Sequence, residues 1–251
     1  MFRPRVIPVL LLRQRSLVKS IRFRDHRYIG DPINAARIFN DLRVDELIFL
    51  DIEASREKRT ISLDFVHAVA EEAYMPFSVG GGIRSLENIR DILATGAEKV
   101  VINTYAANNP IFIKHAADRF GSSTIVVCID VQRRWFRGDH VWTHGGKRPT
   151  PFRPVEFAQL MEVNGAGELV IQSIDRDGTM NGYDIELIRS IADAVKIPVV
   201  ALGGAGSTTD LLHGYRDGRA SGLAAGSMFV YQDQRRGVLI NYPKKSELPF
   251  E

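Results

Sequence analysis

Four aspartates end apolar runs of this sequence. Asp51 closes the run FLD, Asp130 closes VVCID, and Asp175 and Asp177 follow the run ELVIQSI. A carboxylate at the carboxyl end of a buried parallel strand lies where ligands bind, and partial desolvation suits it to general acid or base catalysis. A helix cap or an ion pair explains Asp51 equally well. Asp130 favours catalysis, because it ends a wholly apolar run and no capping pattern follows it directly.

A pair of glycines also ends two apolar runs, in PFSVGGGIRS at 76–85 and in PVVALGGAGS at 198–207. A serine-initiated helical pattern follows each pair, so free backbone N–H groups and the absence of a side chain would let a phosphate approach closely. A plain strand-to-helix turn would explain one pair alone. Two pairs in equivalent positions favour two anion sites, suited to a substrate with a phosphate at each end.

The second glycine segment starts 122 residues after the first. The same spacing relates Glu46-Leu47 to Glu168-Leu169 and Gly96 to Gly218. Residues near 1–121 therefore repeat as roughly 122–240, which predicts a protein made of two copies of one half.

Apolar runs of four to seven residues, each followed by a helical pattern, are typical of parallel strands covered on both faces. Eight such alternations with a two-fold repeat predict an α/β fold, a (β/α)₈ TIM barrel, as a single domain over residues 1–251. An open doubly wound sheet is the alternative, although no GxGxxG follows the first strand. We expect strands near 6–12, 46–52, 76–81, 99–103, 124–130, 168–174, 198–203 and 222–226, and helices near 33–43, 61–73, 86–95, 109–119, 154–164, 184–195, 208–216 and 233–239.

Two connections are longer than a barrel needs. Arg13 to Gly30 is basic and irregular, and Val131 to Pro151 contains both tryptophans, Trp135 and Trp142. Both follow strand carboxyl ends, so we expect two long functional loops on the active face of the barrel.

The bulk composition excludes several classes of protein. The 33 basic and 30 acidic residues are spread along the chain and leave a net charge of only +3, so nothing indicates a nucleic-acid partner. The apolar run Val6 to Leu12 is too short to cross a membrane and predicts the first buried strand. Cys128 is the lone cysteine, which fits a buried thiol in a reducing, cytoplasmic compartment. No pattern predicts a metal or another cofactor.

Longer motifs give the chain a specific resemblance. Over nearly its whole length it is similar to the cyclase subunit of imidazole glycerol phosphate synthase, HisF. That family takes ammonia from a partner glutaminase and converts a bisphosphorylated formimino ribonucleotide into imidazole glycerol phosphate and an aminoimidazole carboxamide ribonucleotide. The motifs are RVIP at 5–8, GDP at 30–32, DELIFLDIEAS at 45–55, VGGGIR at 79–84, EKVVINT at 98–104, GAGE at 165–168, SIDRDGTMNGYD at 173–184 and GGAG at 203–206.

The resemblance implies a role for individual residues on the active face. Asp130 matches one of the family's two catalytic aspartates, and Lys19 matches a loop lysine that lies over the substrate. One phosphate would be held by Gly82, Asn103 and Thr104. The other would be held by Gly178, Gly204, Ala225 and Gly226. The mouth would be lined by Asp51, Asp175 and Asp177.

The other catalytic aspartate of the family is missing. Leu11 stands in its place, and leucine can neither accept nor deliver a proton. The loop that follows and Gln172 also depart from the family pattern, so we expect a severely impaired cyclase and a changed ligand.

Four charges at the opposite end of the barrel keep the family pattern: Arg5, Glu46, Lys99 and Glu168 begin strands one, two, four and six. In the family such a ring gates ammonia that arrives from a HisH-type glutaminase. Asp45 and Glu98 lie beside the ring and would help to dock this partner. Four unrelated surface charges are the alternative.

Three functions follow from these patterns. The first is a HisF-type barrel that passes ammonia on to a sugar amidotransferase of surface-polysaccharide synthesis, as members of the resemblance group with a substituted first aspartate are thought to do. The second is an active cyclase in which Asp51 or Glu53 replaces the lost carboxylate. The third is a sugar isomerase like the related barrel of the histidine pathway, in which the lower ring would have no purpose.

Overall fold

Eight parallel strands close into a barrel in the computed structural model, which describes residues 3–134, 138–232 and 237–250. Neighbouring strands are hydrogen-bonded around the full circle, which is closed by pairing between the strand that contains Asp130 and the strand that contains Gln172. This closed barrel confirms the predicted (β/α)₈ fold. The strands are β1 (Arg5–Arg13), β4 (Leu47–Asp51), β5 (Phe77–Gly80), β6 (Lys99–Ile102), β7 (Ile125–Arg134), β10 (Glu168–Ser173), β11 (Val199–Leu202) and β12 (Gly222–Ala225).

Helices cover the outside of this barrel. Several begin as their sequences require: Asp31 caps the first helix by accepting from Asn34 N at 2.8 Å, and Ser207 with Asp210 forms a capping box at the start of a later one. The helices are α1 (Pro32–Asp41), α2 (Leu63–Glu72), α3 (Leu86–Ala94), α4 (Thr104–Asn108), α5 (Ile111–Phe120), α6 (Pro154–Val163), α7 (Ile185–Ala192), α8 (Thr208–Arg216) and α9 (Ser227–Val230).

The two long connections are antiparallel arms, so the prediction that the first of them, from Arg13 to Gly30, is irregular was wrong. The first arm is the hairpin β2 (Ser16–Ile21) and β3 (Arg24–Gly30), which pairs with the end of β1. In the second, β7 continues past the barrel and pairs with β8 (Gly138–Thr143), which pairs with β9 (Arg148–Pro149). Backbone pairing satisfies the N–H and C=O groups that a bare loop would leave to water. The two arms extend corresponding strands of the two-fold repeat.

The helix expected near 233–239 was also wrong in its described part. Residues 233–236 lie outside the description, and 237–239 are not helical. Val238 instead forms an antiparallel bridge with Tyr231. The last α-helix in the described ranges is the short α9, where Phe229 and Val230 are fully buried.

Apolar side chains alternate between two layers. Residues such as Phe39, Phe49 and Phe229 pack between the strands and the helices. A second layer fills the barrel interior, and Leu11 packs against its upper end. Its buried members are Ile7, Val9, Ile48, Val101, Val126, Cys128, Val170, Val200, Leu202 and Ala224.

Candidate functional site

A cavity of about 710 Å³ lies at the carboxyl ends of the barrel strands. Barrel geometry brings residues from distant parts of the sequence to this one mouth. Ten of the twelve active-face residues expected from the sequence line it: Lys19, Asp51, Gly82, Asn103, Thr104, Asp130, Asp177, Gly178, Gly204 and Gly226.

The other two expected residues lie outside the lining. Asp175 accepts from Arg133 N at 3.0 Å and from Gln132 Nε2 at 3.3 Å, which holds its carboxylate against the second arm. Ala225 is buried at the end of β12, where its backbone pairs with Pro8.

Asp130 is a buried carboxyl in the wall of the cavity. Its Oδ1 lies 3.7 Å from Cys128 Sγ, and Asn103 holds the adjacent backbone by donating to Cys128 O at 2.9 Å. Burial, with a contribution from the nearby Asp177, raises the pKa of Asp130 to about 7. A carboxyl that is partly protonated near neutral pH can both deliver and accept a proton.

The ionisation of Asp130 should make stability depend on pH. Because its pKa is about 7 in the folded chain and about 3.8 when unperturbed, the folded state loses stability as pH rises between these values. Asp130→Asn removes this loss. The free energy of unfolding of the variant, relative to that of the wild type, should therefore be about 2–3 kcal/mol larger at pH 8 than at pH 5. Urea unfolding at the two pH values measures the gain, and an equal difference at both would contradict it.

Leu11 gives the mouth an apolar side chain at the end of β1. It lines the cavity and pairs in register with Leu50 on β4 and Val18 on β2. The first strand therefore brings no proton-transfer group to the site, in contrast to Asp130 on β7.

The two carboxylates considered as replacements already have partners. Asp51 accepts from Glu53 N at 3.0 Å and Ala54 N at 3.1 Å, and Arg59 Nη1 lies 2.5 Å from its other oxygen. Glu53 pairs with Arg13 at 3.1 Å and with Arg56 at 2.7 Å. The geometry therefore matches the capping and ion-pairing alternative for Asp51.

The first arm lies over the mouth and brings Lys19 into it. Lys19 is only 5% exposed, and its ammonium donates to Val9 O at the upper part of β1. Burial lowers its pKa to about 8, against an opposing effect of Asp177.

Asp177 fastens this arm to the barrel. Its Oδ2 accepts from Ser20 Oγ at 2.7 Å and from Phe23 N at 3.3 Å, while its backbone oxygen accepts from Arg22 N at 2.9 Å. Gln172 Nε2 donates to its Oδ1 at 3.3 Å. Desolvation raises the pKa of Asp177. Sequence reasoning missed Ser20 and Phe23, since nothing in their local pattern indicates a contact with a residue so far along the chain.

Gly178 lets the arm approach, and its replacement should displace it. Its φ is +67°, and an added Cβ would collide with Ser20 O and lie 3.1 Å from Ile21 Cα. Gly178→Ala should increase amide hydrogen exchange over residues 16–30 at least tenfold, roughly 1–3 kcal/mol of local opening free energy. Gly145→Ala is the matched control, because Gly145 has a φ of +64° and open space around it. Equal exchange in the two variants would refute the steric account.

The glycine pairs allow close backbone packing. Gly82 has a φ of +65° and faces Arg59 O, and Gly204 has a φ of +110° and faces Gly182 O; neither oxygen leaves room for a Cβ. Elsewhere in the cavity wall, Thr104 Oγ1 donates to Asn103 Oδ1 at 3.1 Å and accepts from His144 N at 3.1 Å. Tight turns thus account for the glycines, and phosphate binding stays a prediction.

Many cations of the site were not identified from the sequence. They lie on the two arms and on the loops after β4 and β5. The basic composition of residues 13–30 was the one sequence feature that indicated such cations. The positive side chains that line the cavity besides Lys19 are Arg13, Arg24, Arg56, Lys58, Arg59, Arg84, Lys147 and Arg148, against the carboxylates Asp51, Glu53, Asp130 and Asp177.

The four charges expected at the lower mouth form a closed ring. Arg5 donates to both Glu46 and Glu168, and Lys99 Nζ lies 3.1 Å from Glu46 Oε1 and 3.0 Å from Glu168 Oε2. Ser78 Oγ adds a hydrogen bond to Glu46 at 2.9 Å. Glu46 and Glu168 are buried, and two cations balance them, so the ring has no net charge.

Beside this ring, Asp45 is the centre of a second polar cluster. It pairs with Arg3 at 3.0 Å, accepts from Val6 N at 2.9 Å and lies 3.3 Å from the Tyr242 hydroxyl, which also donates to Val6 O. Glu98 is exposed. The contacts of Tyr242 were not predicted, because they join residues 197 and 236 positions apart.

The described residues contain neither a cluster suited to a metal ion nor a helix suited to a membrane. No group of three or more His, Cys, Asp or Glu side chains in the described ranges is arranged to hold a metal ion. Within the same ranges, no helix has the length and apolar character needed to span a membrane.

Comparison with known proteins decides the family. A family model described as histidine biosynthesis protein matches residues 5–235. Over 248 residues the chain is 46% identical to a Pseudomonas aeruginosa protein provisionally named imidazole glycerol phosphate synthase subunit hisF2, and the match covers 99% of both chains. The chain belongs to the HisF family. This confirms the resemblance drawn from the motifs, whereas the roles of individual residues in this HisF-family chain stay predictions.

Proposed function

We propose that this HisF-family chain receives ammonia from a HisH-type glutaminase at its lower mouth and passes it to a sugar amidotransferase of surface-polysaccharide synthesis. In this proposal the cyclase reaction is severely impaired. One observation carries it: the ring of Arg5, Glu46, Lys99 and Glu168 is complete, while Leu11 removes half of the acid/base pair above it.

The lower half of the barrel is suited to a small neutral molecule. The ring is satisfied pairwise and carries no net charge, so it presents no excess charge that would attract an ion. Behind it the barrel interior is filled by apolar side chains such as Ile7, Val101 and Val200. Passage between apolar side chains disfavours the ammonium ion strongly and neutral ammonia much less.

The side chains in the upper half of the barrel support the proposal that cyclase activity is impaired. Asp130 remains at the end of β7, but the matching place on β1 is leucine, and Asp51 and Glu53 are held by arginines. A positioned acid or base commonly contributes a factor of about 10² to 10⁴ in rate. Without it, the mouth can still bind an anionic ligand but lacks one of the two proton-transfer steps.

The lower face offers a surface for the glutaminase. Asp45, Arg3 and Glu98 surround the ring with charges of both signs, and electrostatic complementarity of this kind fixes orientation more than it adds affinity. A cytoplasmic site of action stays a prediction.

The proposal is tested with the chain and a HisH-type glutaminase mixed with glutamine labelled with ¹⁵N in its side-chain amide. We expect the chain to bind the glutaminase and stimulate glutamine hydrolysis, and a sugar amidotransferase added to the pair to incorporate the label. Turnover of the cyclase substrate with ammonium salts at the usual rate of the family would rule the proposal out.

An active cyclase is the second candidate, and the cavity favours it. Asp130 and most of the expected lining residues surround one mouth, and the wall is rich in cations that suit a bisphosphorylated substrate. Leu11→Asp, considered in the Discussion, separates the two candidates.

A further inference from the structure

Lys19 is an amine in an uncommon environment. Its side chain is 5% exposed, yet its one assigned hydrogen bond goes to a neutral acceptor, the carbonyl of Val9. No carboxylate among the described residues forms a salt bridge with it. Buried lysines are usually paired with a carboxylate, because an isolated buried ammonium is costly.

The residues around this amine explain why it lacks such a partner. Leu11, two positions beyond Val9 on β1, is apolar. Asp177, the charged group acting on Lys19, has its Oδ2 committed to Ser20 and Phe23 N. A Cβ at position 226 would collide with Lys19 Nζ, so Gly226 makes the room that this amine occupies.

We propose that the Lys19 amine forms an imine with a phosphate-bearing aldehyde or ketone in the upper mouth. A desolvated lysine in a cavity is the residue that proteins use for such adducts. The proposal goes beyond ammonia delivery and does not depend on it.

Imine formation between Lys19 and the carbonyl compound needs no further reactant. The neutral amine nitrogen forms a bond to the carbonyl carbon, and the carbonyl oxygen takes a proton from the carboxyl of Asp130. The nitrogen then returns one proton to Asp130. When the C–O bond breaks, the oxygen takes this proton back from Asp130 and leaves as water, and the nitrogen lone pair completes the C=N bond of an iminium. The iminium nitrogen then gives its remaining proton to the Asp130 carboxylate, which restores the carboxyl. Amine and carbonyl have become imine and one water.

The cavity selects an anionic carbonyl compound. Among the described residues, eight lysines and arginines besides Lys19 line it against four carboxylates, and Asp51 and Glu53 are already paired with arginines. The remaining positive field attracts an anion to the mouth. A small sugar phosphate carries its carbonyl within a few bonds of the phosphate, so the same binding event would bring it to Lys19.

The state of the amine supports this reactivity. With a pKa of about 8 instead of 10.5, the neutral fraction of Lys19 near pH 7 is about 300-fold larger than that of an ordinary lysine.

The test uses the full chain with dihydroxyacetone phosphate and sodium cyanoborohydride near pH 7, followed by peptide mass mapping. We expect the reduced adduct on Lys19 to form at least about tenfold faster than on any other lysine, and inorganic phosphate to slow it. Leu11→Asp supplies the missing carboxylate, so it should lower the Lys19 rate about tenfold by favouring the ammonium.

Two variants complete the experiment. Lys19→Arg keeps the positive charge but cannot form an imine, so the adduct should disappear, while Lys114→Arg, on the exposed face of α5, should leave it unchanged. No adduct, or an even spread over the surface lysines, would overturn the proposal. Peptide mass mapping of the wild-type chain shows whether the adduct is on Lys19 even if Lys19→Arg fails to fold. Ammonia transfer is measured separately, so the two proposals can fail independently.

Discussion

Leu11→Asp should raise the ammonium-dependent cyclase rate of this chain by about 10²- to 10⁴-fold. The new carboxylate would stand at the end of β1, in the wall of the cavity that Asp130 lines from β7. It would supply the second proton-transfer group without any change in the ring below. Production of imidazole glycerol phosphate from the bisphosphorylated substrate and ammonium salts measures the effect.

Two controls separate charge from shape. Leu11→Asn has nearly the same size as the aspartate variant but cannot exchange a proton, so it should show no comparable gain. Adding Asp130→Asn to Leu11→Asp should abolish the gain, because both carboxyls are required. If Leu11→Asp itself changes nothing, the first arm and the pocket have diverged too far for one carboxylate to restore the reaction.

Arg5→Met should lower the free energy of unfolding by about 3–5 kcal/mol. Arg5 bridges Glu46 and Glu168, whose side chains are only 3% and 7% exposed. Its removal leaves two buried carboxylates to share the single ammonium of Lys99. Leaving a buried charge without its partner is costly even where the intact pair contributes little net stability. Urea unfolding monitored by circular dichroism gives the change.

The comparison variant is Arg37→Met, which breaks an ion pair with Glu72 between the surfaces of α1 and α2. Water already screens that pair, so its loss should have a much smaller effect than the loss of Arg5. Similar unfolding free energies for the two variants would show that the ring charges are hydrated, and the argument for a closed gate would fail.

The barrel could be predicted because its signals are local and repeated. Each strand is a short apolar run before a helical pattern, and the spacing between the two glycine pairs revealed the repeat. Once the fold was assigned, Asp130 and Lys99 had to lie at opposite ends of the barrel, since strand ends fix the two mouths.

The arms and their contacts could not be predicted in this way. In β2 the consecutive residues Leu17 to Ser20 are all buried, because the strand is covered by the barrel mouth on one side and by neighbouring elements on the other. This erases the alternation that marks a hairpin. The pairing of Asp51 with Arg59 and the reach of Lys19 to Val9 depend on side-chain positions that appear only after folding.

The two arms carry a consequence for how such a protein can diversify. Each half of the chain brings its own arm and its own strand-end side chain to the mouth, Leu11 in one half and Asp130 in the other. Substitutions in one half can therefore change the ligand preference of the mouth while the other half stays unaltered. The foot of the barrel has no such freedom, because Glu168 of the second half must meet Arg5 and Lys99 of the first. Chimeras that exchange whole halves between relatives would therefore form a barrel with a new mouth only if these ion pairs between the two halves can still form.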